Sequence, residues 1–494
     1  MVLNPLNCNI GLLGHVDSGK TSIARFLSQT QSTACFDKDP QAQSRGITLD
    51  LGFSSFSSSV PSQFENIFSS LQYSLVDHPG HASLLRTVIG GSSIIDLMIL
   101  VIDITKGIQT QTGECIVLGE IMCKPSVVLL NKIDLLPEDS RDSYIQKAKT
   151  SISKALNKTK FLSAAPIIPF STHSPLPDQT TSLLAILESI VLTLPRIQTL
   201  TSSDFSNVPC IISIDHCFGV KGKGNVVTGT VLEGVVSLND ELVLSAQQNP
   251  VKVKSIQSFK KQVSKAVSGD RVGLCISGLD VSSTELDRFW LTSSRDFPWF
   301  KQEIVTGQNY HVSIGFDTVV GRVSLFKASE SLFQLSDEVY EILNNYQDAK
   351  SQCYALVSLS KPVLVPPSRL AICSRLDFPQ SSKQCRIAFY GEVNIIGNNL
   401  SLYKTKSKSG VVDRVIDGQN LVMRGMFDSV PQARVFLNET VYVGDCKMTG
   451  VIESTFGKSG KVKIRLIDGD SEVSVGDNVE LVYRRFLRSK TSTS

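Results

Sequence analysis

The sequence lacks any pair of cysteines at C-x-x-C spacing, and its eleven cysteines stand singly along 494 residues. That distribution argues against a disulfide framework and against a zinc knuckle. No stretch of about 18 apolar residues is free of charge, so no membrane-spanning helix is expected; the nearest candidate, Val88 to Ile102, is broken by Asp96. The opening residues Met1-Val2-Leu3-Asn4-Pro5 carry no basic segment, so no secretory signal is expected and the cytoplasm is the expected compartment. Repeats of fixed period and low-complexity tracts are missing as well. So is a large excess of charge: 49 Lys and Arg face 46 Asp and Glu. The small positive balance lies late in the chain. From Ser401 onward there are fifteen basic and eleven acidic residues, which hints at a polyanionic partner for that region.

What is present is ample core-forming material. Apolar residues make up 41% of the chain, and its length suits three or four domains. Up to about residue 200, apolar strand-like runs alternate with helical patterns. Leu71 to Asp77, Leu97 to Asp103, Ser126 to Asn131 and Pro166 to Phe170 are the runs, a rhythm that predicts a parallel sheet covered on both faces. The serine-rich stretch Ser54 to Ser70 reads as loop, and Leu194-Pro195-Arg196 as the exit from the domain. Beyond Asn207, short β-branched runs between glycine turns predict small antiparallel barrels. A segment near Ser329 to Ala349 reads as a helical insert. The expected architecture is an α/β P-loop domain with a mostly parallel sheet, residues 1–200, followed by three β-barrel or β-rich domains at 201–300, 301–397 and 398–494.

Gly14-His15-Val16-Asp17-Ser18-Gly19-Lys20-Thr21 fits G-x-x-x-x-G-K-[ST] between a strand and a helix. Glycines Gly14 and Gly19, with Asp17 and Ser18 between them, let backbone N–H groups wrap phosphates at the positive end of the following helix. Lys20 reaches the β- and γ-phosphates, and the Thr21 hydroxyl is suited to Mg²⁺. Asp77-His78-Pro79-Gly80 ends a strand in an acid that suits Mg²⁺, beside a Gly80 N–H suited to sense the γ-phosphate. Asn131-Lys132-Ile133-Asp134 closes another strand. A carboxylate at Asp134 accepts from the N1–H and 2-amino group of guanine; adenine offers neither donor, so GTP is expected over ATP. Ser171-Thr172-His173 follows the last strand and is placed to support the base. Thr48, in Arg45-Gly46-Ile47-Thr48, would complete the Mg²⁺ shell only when the γ-phosphate is present, which makes its segment an order–disorder switch. His81 is positioned to orient the attacking water.

Taken in order, these motifs resemble the translational GTPases. Asp103, Gly107 and Gln109-Thr110 fit the same pattern, as do Gly222 to Val231 and Gly269 to Gly273 in the second domain. The narrower resemblance is to the selenocysteine-specific elongation factors of eukaryotic and archaeal type. Ser32 to Phe53 is similar to that family's switch I region, Asp215-His216-Cys217-Phe218 and Gly269-Asp270-Arg271 to its aminoacyl pocket, and Phe456 to Ile464 to its extra C-terminal domain. Two positions depart from the elongation factor Tu pattern: Ser18 replaces a histidine and His173 replaces a lysine.

The resemblance implies a GTPase that cycles between GTP and GDP with Mg²⁺, carries selenocysteinyl-tRNA to the ribosome at recoded UGA codons, and uses Asp215, His216 and Arg271 as the pocket. Charge is the lever such a pocket has. A selenol is mostly anionic at neutral pH, so a cation would favour it over the neutral serine hydroxyl. The implied C-terminal partner is a recoding element of selenoprotein messages, met directly or through an adaptor protein. There Lys461, Lys463 and Arg465 alternate on one strand face that suits a phosphate backbone. No membrane partner is implied, and a monomer is the default. An initiation-factor-γ-like tRNA binder and a regulatory or assembly GTPase without tRNA are the alternatives.

Overall fold

The computed structural model describes residues 5–31, 51–79, 85–202, 208–220, 224–243, 250–259, 261–277, 288–294, 303–327, 339–346, 353–361, 363, 365, 370–378, 385–396, 401–445, 447–467 and 473–486. The expected site residues Thr48, Gly80 and His81 lie outside them, as do Arg45, Gly46, Ile47 and Gly222. The chain divides into two compact units, Met1–Val323 with Ala355–Gly397 and Ser324–Tyr354 with Asn398–Ser494.

The first unit opens with a seven-stranded sheet of β1 (Leu6–Leu13), β2 (Thr30–Gln31), β3 (Gly52–Ser58), β4 (Leu71–Asp77), β5 (Leu97–Asp103), β6 (Ser126–Asn131) and β7 (Ile167–Pro169). Its order is β2-β3-β4-β1-β5-β6-β7. Strands β4, β1, β5, β6 and β7 run parallel, and β3 and β2 extend the edge antiparallel. Helices α1 (Lys20–Leu27), α2 (Leu85–Ser92), α3 (Thr110–Ile121), α4 (Arg141–Leu156), α5 (Gln179–Val191) and α6 (Pro195–Ser202) accompany it. Two apolar cores flank the sheet, so β1, β5 and β6 are buried along their whole length, as their unbroken apolar runs demand. Strand β1 has β4 on one side and β5 on the other, so the order reverses about it. The crevice outside its carboxyl end is where an open α/β sheet binds ligands.

Two local readings change here. The start of the serine-rich stretch is the strand β3, not loop: Phe53 and Phe56 face opposite cores, and Ser54 and Ser55 are buried between them. Serine is a poor strand former, and burial overrides that preference. The exit at Pro195 is also more than a stop. Proline at the first position of a helix forfeits a hydrogen bond that would be missing anyway, and Pro195 starts α6.

The next β region contains β8 (Ile211–Val220), β9 (Gly224–Glu233), β10 (Val235–Ser237), β11 (Glu241–Leu242), β12 (Val251–Ser258), β13 (Lys261–Val263), β14 (Lys265–Val267) and β15 (Arg271–Ser277). The path β11-β12-β15-β9-β8 forms an antiparallel sheet with β13 paired to β12, and β10 with β14 makes a ribbon. Among the described residues this sheet does not close on itself. A closed barrel follows, built from β16 (Arg288–Ser294), β17 (Asn309–Ile314), β18 (Asp317–Lys327), β20 (Cys353–Leu359), β21 (Leu370–Ser374) and β22 (Ile387–Ile396).

In the second unit, β23 (Ser401–Val415), β24 (Asn420–Arg424), β25 (Thr440–Val443), β26 (Met448–Phe456), β27 (Lys461–Leu466) and β28 (Asn478–Phe486) form one sheet. Strand β23 pairs with both β24 and β28, which closes the ring around its own apolar core. The helical reading of the Ser329 to Ala349 insert is corrected in its described part. Val339–Glu341 is a strand, β19, which adds parallel to the start of β23. Val339, Tyr340 and Glu341 alternate exposed, buried, exposed, a period of two.

Candidate nucleotide and aminoacyl sites

The loop after β1 is shaped for phosphate. Gly14 and Gly19 take φ values of 146° and 95°, and a Cβ on Gly19 would lie 2.2 Å from the Asn131 amide nitrogen. Lys20 is buried and donates to the carbonyls of Gly14 at 3.1 Å and His15 at 2.7 Å. Burial pulls its pKa down, and the carboxylate of Asp77 works against that. Asn131 Nδ2 donates to the Ser18 carbonyl at 2.9 Å, so the base-side motif braces the phosphate loop. The buried atoms Ser18 Oγ, His15 Nδ1 and Asn131 Oδ1 have no hydrogen-bond partner among the described residues. Buried polar atoms are otherwise satisfied almost everywhere in proteins, so these mark a surface built to receive polar groups.

Thr21 Oγ1 donates to Asp77 Oδ2 at 2.6 Å, which brings two hard oxygen ligands together beside that loop. A hydroxyl and a carboxylate are the donor set Mg²⁺ takes when phosphates and water supply the rest, so the residues present fit that ion. On the base side, Ser171 Oγ donates to Asp134 Oδ1 at 2.6 Å and accepts from the backbone N–H groups of His173 and Ser174. Gln179 fixes this loop by accepting from Ser171 N and donating to Ser171 O. Lys132 takes φ 66° and pairs with Asp103 at 2.9 Å, while Thr172 is partly exposed and His173 exposed.

The second cluster lies where β8, β9 and β15 meet. A register shift between Ile214 and His216 marks a bulge at Asp215, and bulges re-aim side chains. Both Asp215 and His216 thus turn into one network. Asp215 accepts from Thr228 Oγ1 at 2.7 Å, from the Arg271 guanidinium, and from His216 Nδ1 across 2.9 Å. Burial alone would raise the Asp215 pKa; hydrogen bonds from His216, Arg271 and Thr228 outweigh it and hold the carboxyl below its usual range. An ionised carboxylate only accepts, so His216 Nδ1 carries the proton of this pair. Arg271 is 6% exposed, and its guanidinium carbon lies 3.6 Å from the centroid of the Phe53 ring on β3.

The loop leading into Arg271 is anchored at the base of the first domain. Arg196 on α6 donates to Asp96 at 2.9 and 2.5 Å, to the Ser268 carbonyl at 2.7 Å and to the Asn7 carbonyl at 2.7 Å. Asn7 and Asn9 donate to the Gly269 carbonyl at 2.5 and 2.9 Å. Gly269 takes φ 93°, and a Cβ there would collide with the Arg196 guanidinium. A second tie is buried: Glu114 of α3 accepts from the backbone N–H, Nε and Nη2 of Arg386 at 3.2, 2.8 and 2.8 Å. Sequence reasoning missed Arg196, Phe53, Glu114 and Arg386. The proline before Arg196 and the switch I-like stretch that ends at Phe53 gave the only local signals.

In the second unit, Lys461, Lys463 and Arg465 do share the outer face of β27. They are not bare. Lys461 pairs with Asp413 at 2.7 Å, Lys463 with Glu453 at 2.8 Å, and Arg465 lies 3.9 Å from Glu453.

The family models that match are Elongation factor Tu GTP binding domain over residues 6–201 and Elongation factor Tu domain 2 over 224–285. Two more follow: Selenocysteine-specific elongation factor, eukaryotes, 3rd domain over 291–391, and eEFSec C-terminal RIFT domain over 398–487. A selenocysteine-specific elongation factor from Mus musculus is 39% identical, over 95% of this chain and 90% of that protein. One from Methanocaldococcus jannaschii is 33% identical, over 96% of this chain and 97% of that protein. The crystal structure of translation elongation factor SelB from Methanococcus maripaludis with the GTP analogue GppNHp superposes with a TM-score of 0.67. It has 26% identity, covering 98% of this chain and 99% of that one. A guanine-nucleotide loop, a Tu-like second domain and likeness along nearly the whole chain converge: it belongs to the selenocysteine-specific elongation factors, a family of translational GTPases.

Proposed function

We propose that this protein, in its GTP-bound state, carries selenocysteinyl-tRNA to the ribosome at recoded UGA codons and hydrolyses GTP on decoding. The observation that carries the reading is the Asp215–His216–Arg271 network on the second domain, together with the phosphate-loop and base-side residues that the structure describes on the first. Thr21 and Asp77, with Thr48, would hold Mg²⁺, which when bound supplies charge neutralisation at the β- and γ-phosphates. Lys20 would contribute to the same charge, Gly80 would sense the γ-phosphate, and His81 would orient the attacking water. Asn131 and Lys132 would shape the base pocket, with Asp134 reading guanine and Ser171 to His173 backing it. This division of labour goes with domains at 1–200, 201–300, 301–397 and 398–494.

The pocket's chemistry follows from its charges. Arg271 already faces the Asp215 carboxylate, so an incoming selenolate competes with that carboxylate for the guanidinium or lies against the imidazole of His216. A neutral serine hydroxyl gains little from either, because it cannot replace an anion. Membership in the family leaves the initiation-factor-like alternative without support. The C-terminal stripe Lys461, Lys463 and Arg465 would meet the recoding element, directly or through an adaptor, and the protein would act in the cytoplasm as a monomer.

The test is direct binding of the GTP-analogue-loaded protein to selenocysteinyl-tRNA and to the same tRNA carrying serine. A large preference that collapses in Arg271→Ala is expected. Equal, tight binding would keep a tRNA carrier and discard the charge mechanism. No binding to either would leave a GTPase that carries no tRNA.

A further inference from the structure

The Arg271 guanidinium is held from two directions by different domains. Its edge belongs to the second domain: Nη1 donates to Asp215 and lies 3.5 Å from Thr230 Oγ1. Its face belongs to the first domain, where the Phe53 ring, itself 1% exposed, lies 3.6 Å away. The backbone leading into Arg271 is fixed through Ser268 and Gly269 to Arg196, Asn7 and Asn9. With that end anchored, the side chain's place is set by Asp215 at its edge and by what stacks on its face.

Phe53 is well situated to report on nucleotide. It is the second residue of β3, whose first residue, Gly52, pairs with Asp77, while Phe53 itself pairs with Val76. Asp77 is the carboxylate that touches Thr21 in the phosphate loop. Upstream, Thr48 is five residues away along the chain. Phe56, three residues on, stacks on Tyr73 in the opposite core, so β3 is seated on both faces and Phe53 cannot turn independently of the strand.

We propose that Phe53 is a positioning residue for the aminoacyl pocket: its ring sets the place of the Arg271 guanidinium and ties the pocket's cation to the position of β3, and so to the nucleotide. This rests on the pocket assignment made above. A ring face favours a cation by electrostatic attraction to its quadrupole, and the attraction is strongest when both are removed from water, as here. Leucine would fill most of the space and offer no such face. A side chain that only filled space would affect stability and every aminoacyl-tRNA alike. A residue that places the cation would affect the selectivity between two amino acids.

The experiment compares the wild-type protein with Phe53→Leu, each loaded with GTP analogue and then with GDP, against selenocysteinyl-tRNA and seryl-tRNA. Leu100→Ala, which removes volume from the same core three strands away, serves as the packing control. Phe53→Leu is expected to lower the selenocysteinyl-to-seryl preference by up to about thirtyfold, the size of one desolvated cation–π contact. Nucleotide affinity should stay within about twofold in the GDP form, and the difference between GTP and GDP forms in tRNA affinity should shrink, since coupling between two sites is reciprocal. Leu100→Ala should leave the preference intact. A preference unchanged in Phe53→Leu while the wild type retains it would overturn the inference and leave the carrier function standing. A wild type without preference would remove both. Should Phe53→Leu fail to load nucleotide, Phe53→Met, closer in volume, takes its place with the same expected outcomes.

Discussion

Replacing Glu114 with alanine should separate the closed barrel from the nucleotide-binding domain far more than a surface change would. Glu114 is 3% exposed and Arg386 7%, and three hydrogen bonds join them across 272 positions of sequence. Removing one partner of a buried ion pair leaves the other charge desolvated, at a cost of about 3–5 kcal/mol. Removing both charges and refilling the space, as in Glu114→Leu with Arg386→Met, is often neutral. The single variant should therefore be several hundredfold more open at this seam, and the double variant should recover most of the loss. Hydrogen exchange at β22, which begins next to Arg386, reads the opening directly. A single variant within about 1 kcal/mol of wild type, or a double variant as open as the single, would refute the view that this pair fastens the two regions.

Asp134→Ala should weaken guanine-nucleotide binding on the order of a hundredfold, because a charged acceptor of two hydrogen bonds is lost; Ser171→Ala, which only releases Asp134, should cost about fivefold, both read by nucleotide titration. His78 is buried with its pKa pushed down to about 4 by burial, against the favourable carbonyl contacts of Val76 and Gly91. The unfolded chain protonates this imidazole near 6.5 and the folded one does not, so stability is lost as pH falls from about 6.5 to about 4, by about 3 kcal/mol in all. Across that window the urea midpoint of wild type should fall as pH drops and that of His78→Leu, which has no imidazole there to protonate, should fall by less; parallel curves would sink the idea. Arg196→Ala should strand Asp96 and loosen the loop 268–271, seen as faster exchange there with guanine-nucleotide binding retained.

The legible parts of the sequence were those whose chemistry is local. Gly14 to Thr21, Asp77 and Asn131 to Asp134 each sit at a strand end, and the sheet brings the ends together whatever the loops do. Asp215 with His216 was visible as a pair, but the bulge that aims both inward was not, because a one-residue slip leaves no compositional trace. Contacts between domains were invisible for a different reason. Phe53 and Arg271 are 218 positions apart, and nothing near either one names the other. Serines misled in the stretch after Phe53: their turn preference is real, and partner strands on both sides with cores on both faces overrode it.

The ion pairs on the outer face of β27 change what it means for that face to be basic. Asp413 and Glu453 act as counter-ions that the protein carries with it. A phosphate chain arriving there exchanges places with tethered carboxylates instead of expelling dissolved ions, so little of the usual entropic gain from released salt is available. A polyanion that bound this face would therefore show a shallower salt dependence than three bare cations would give.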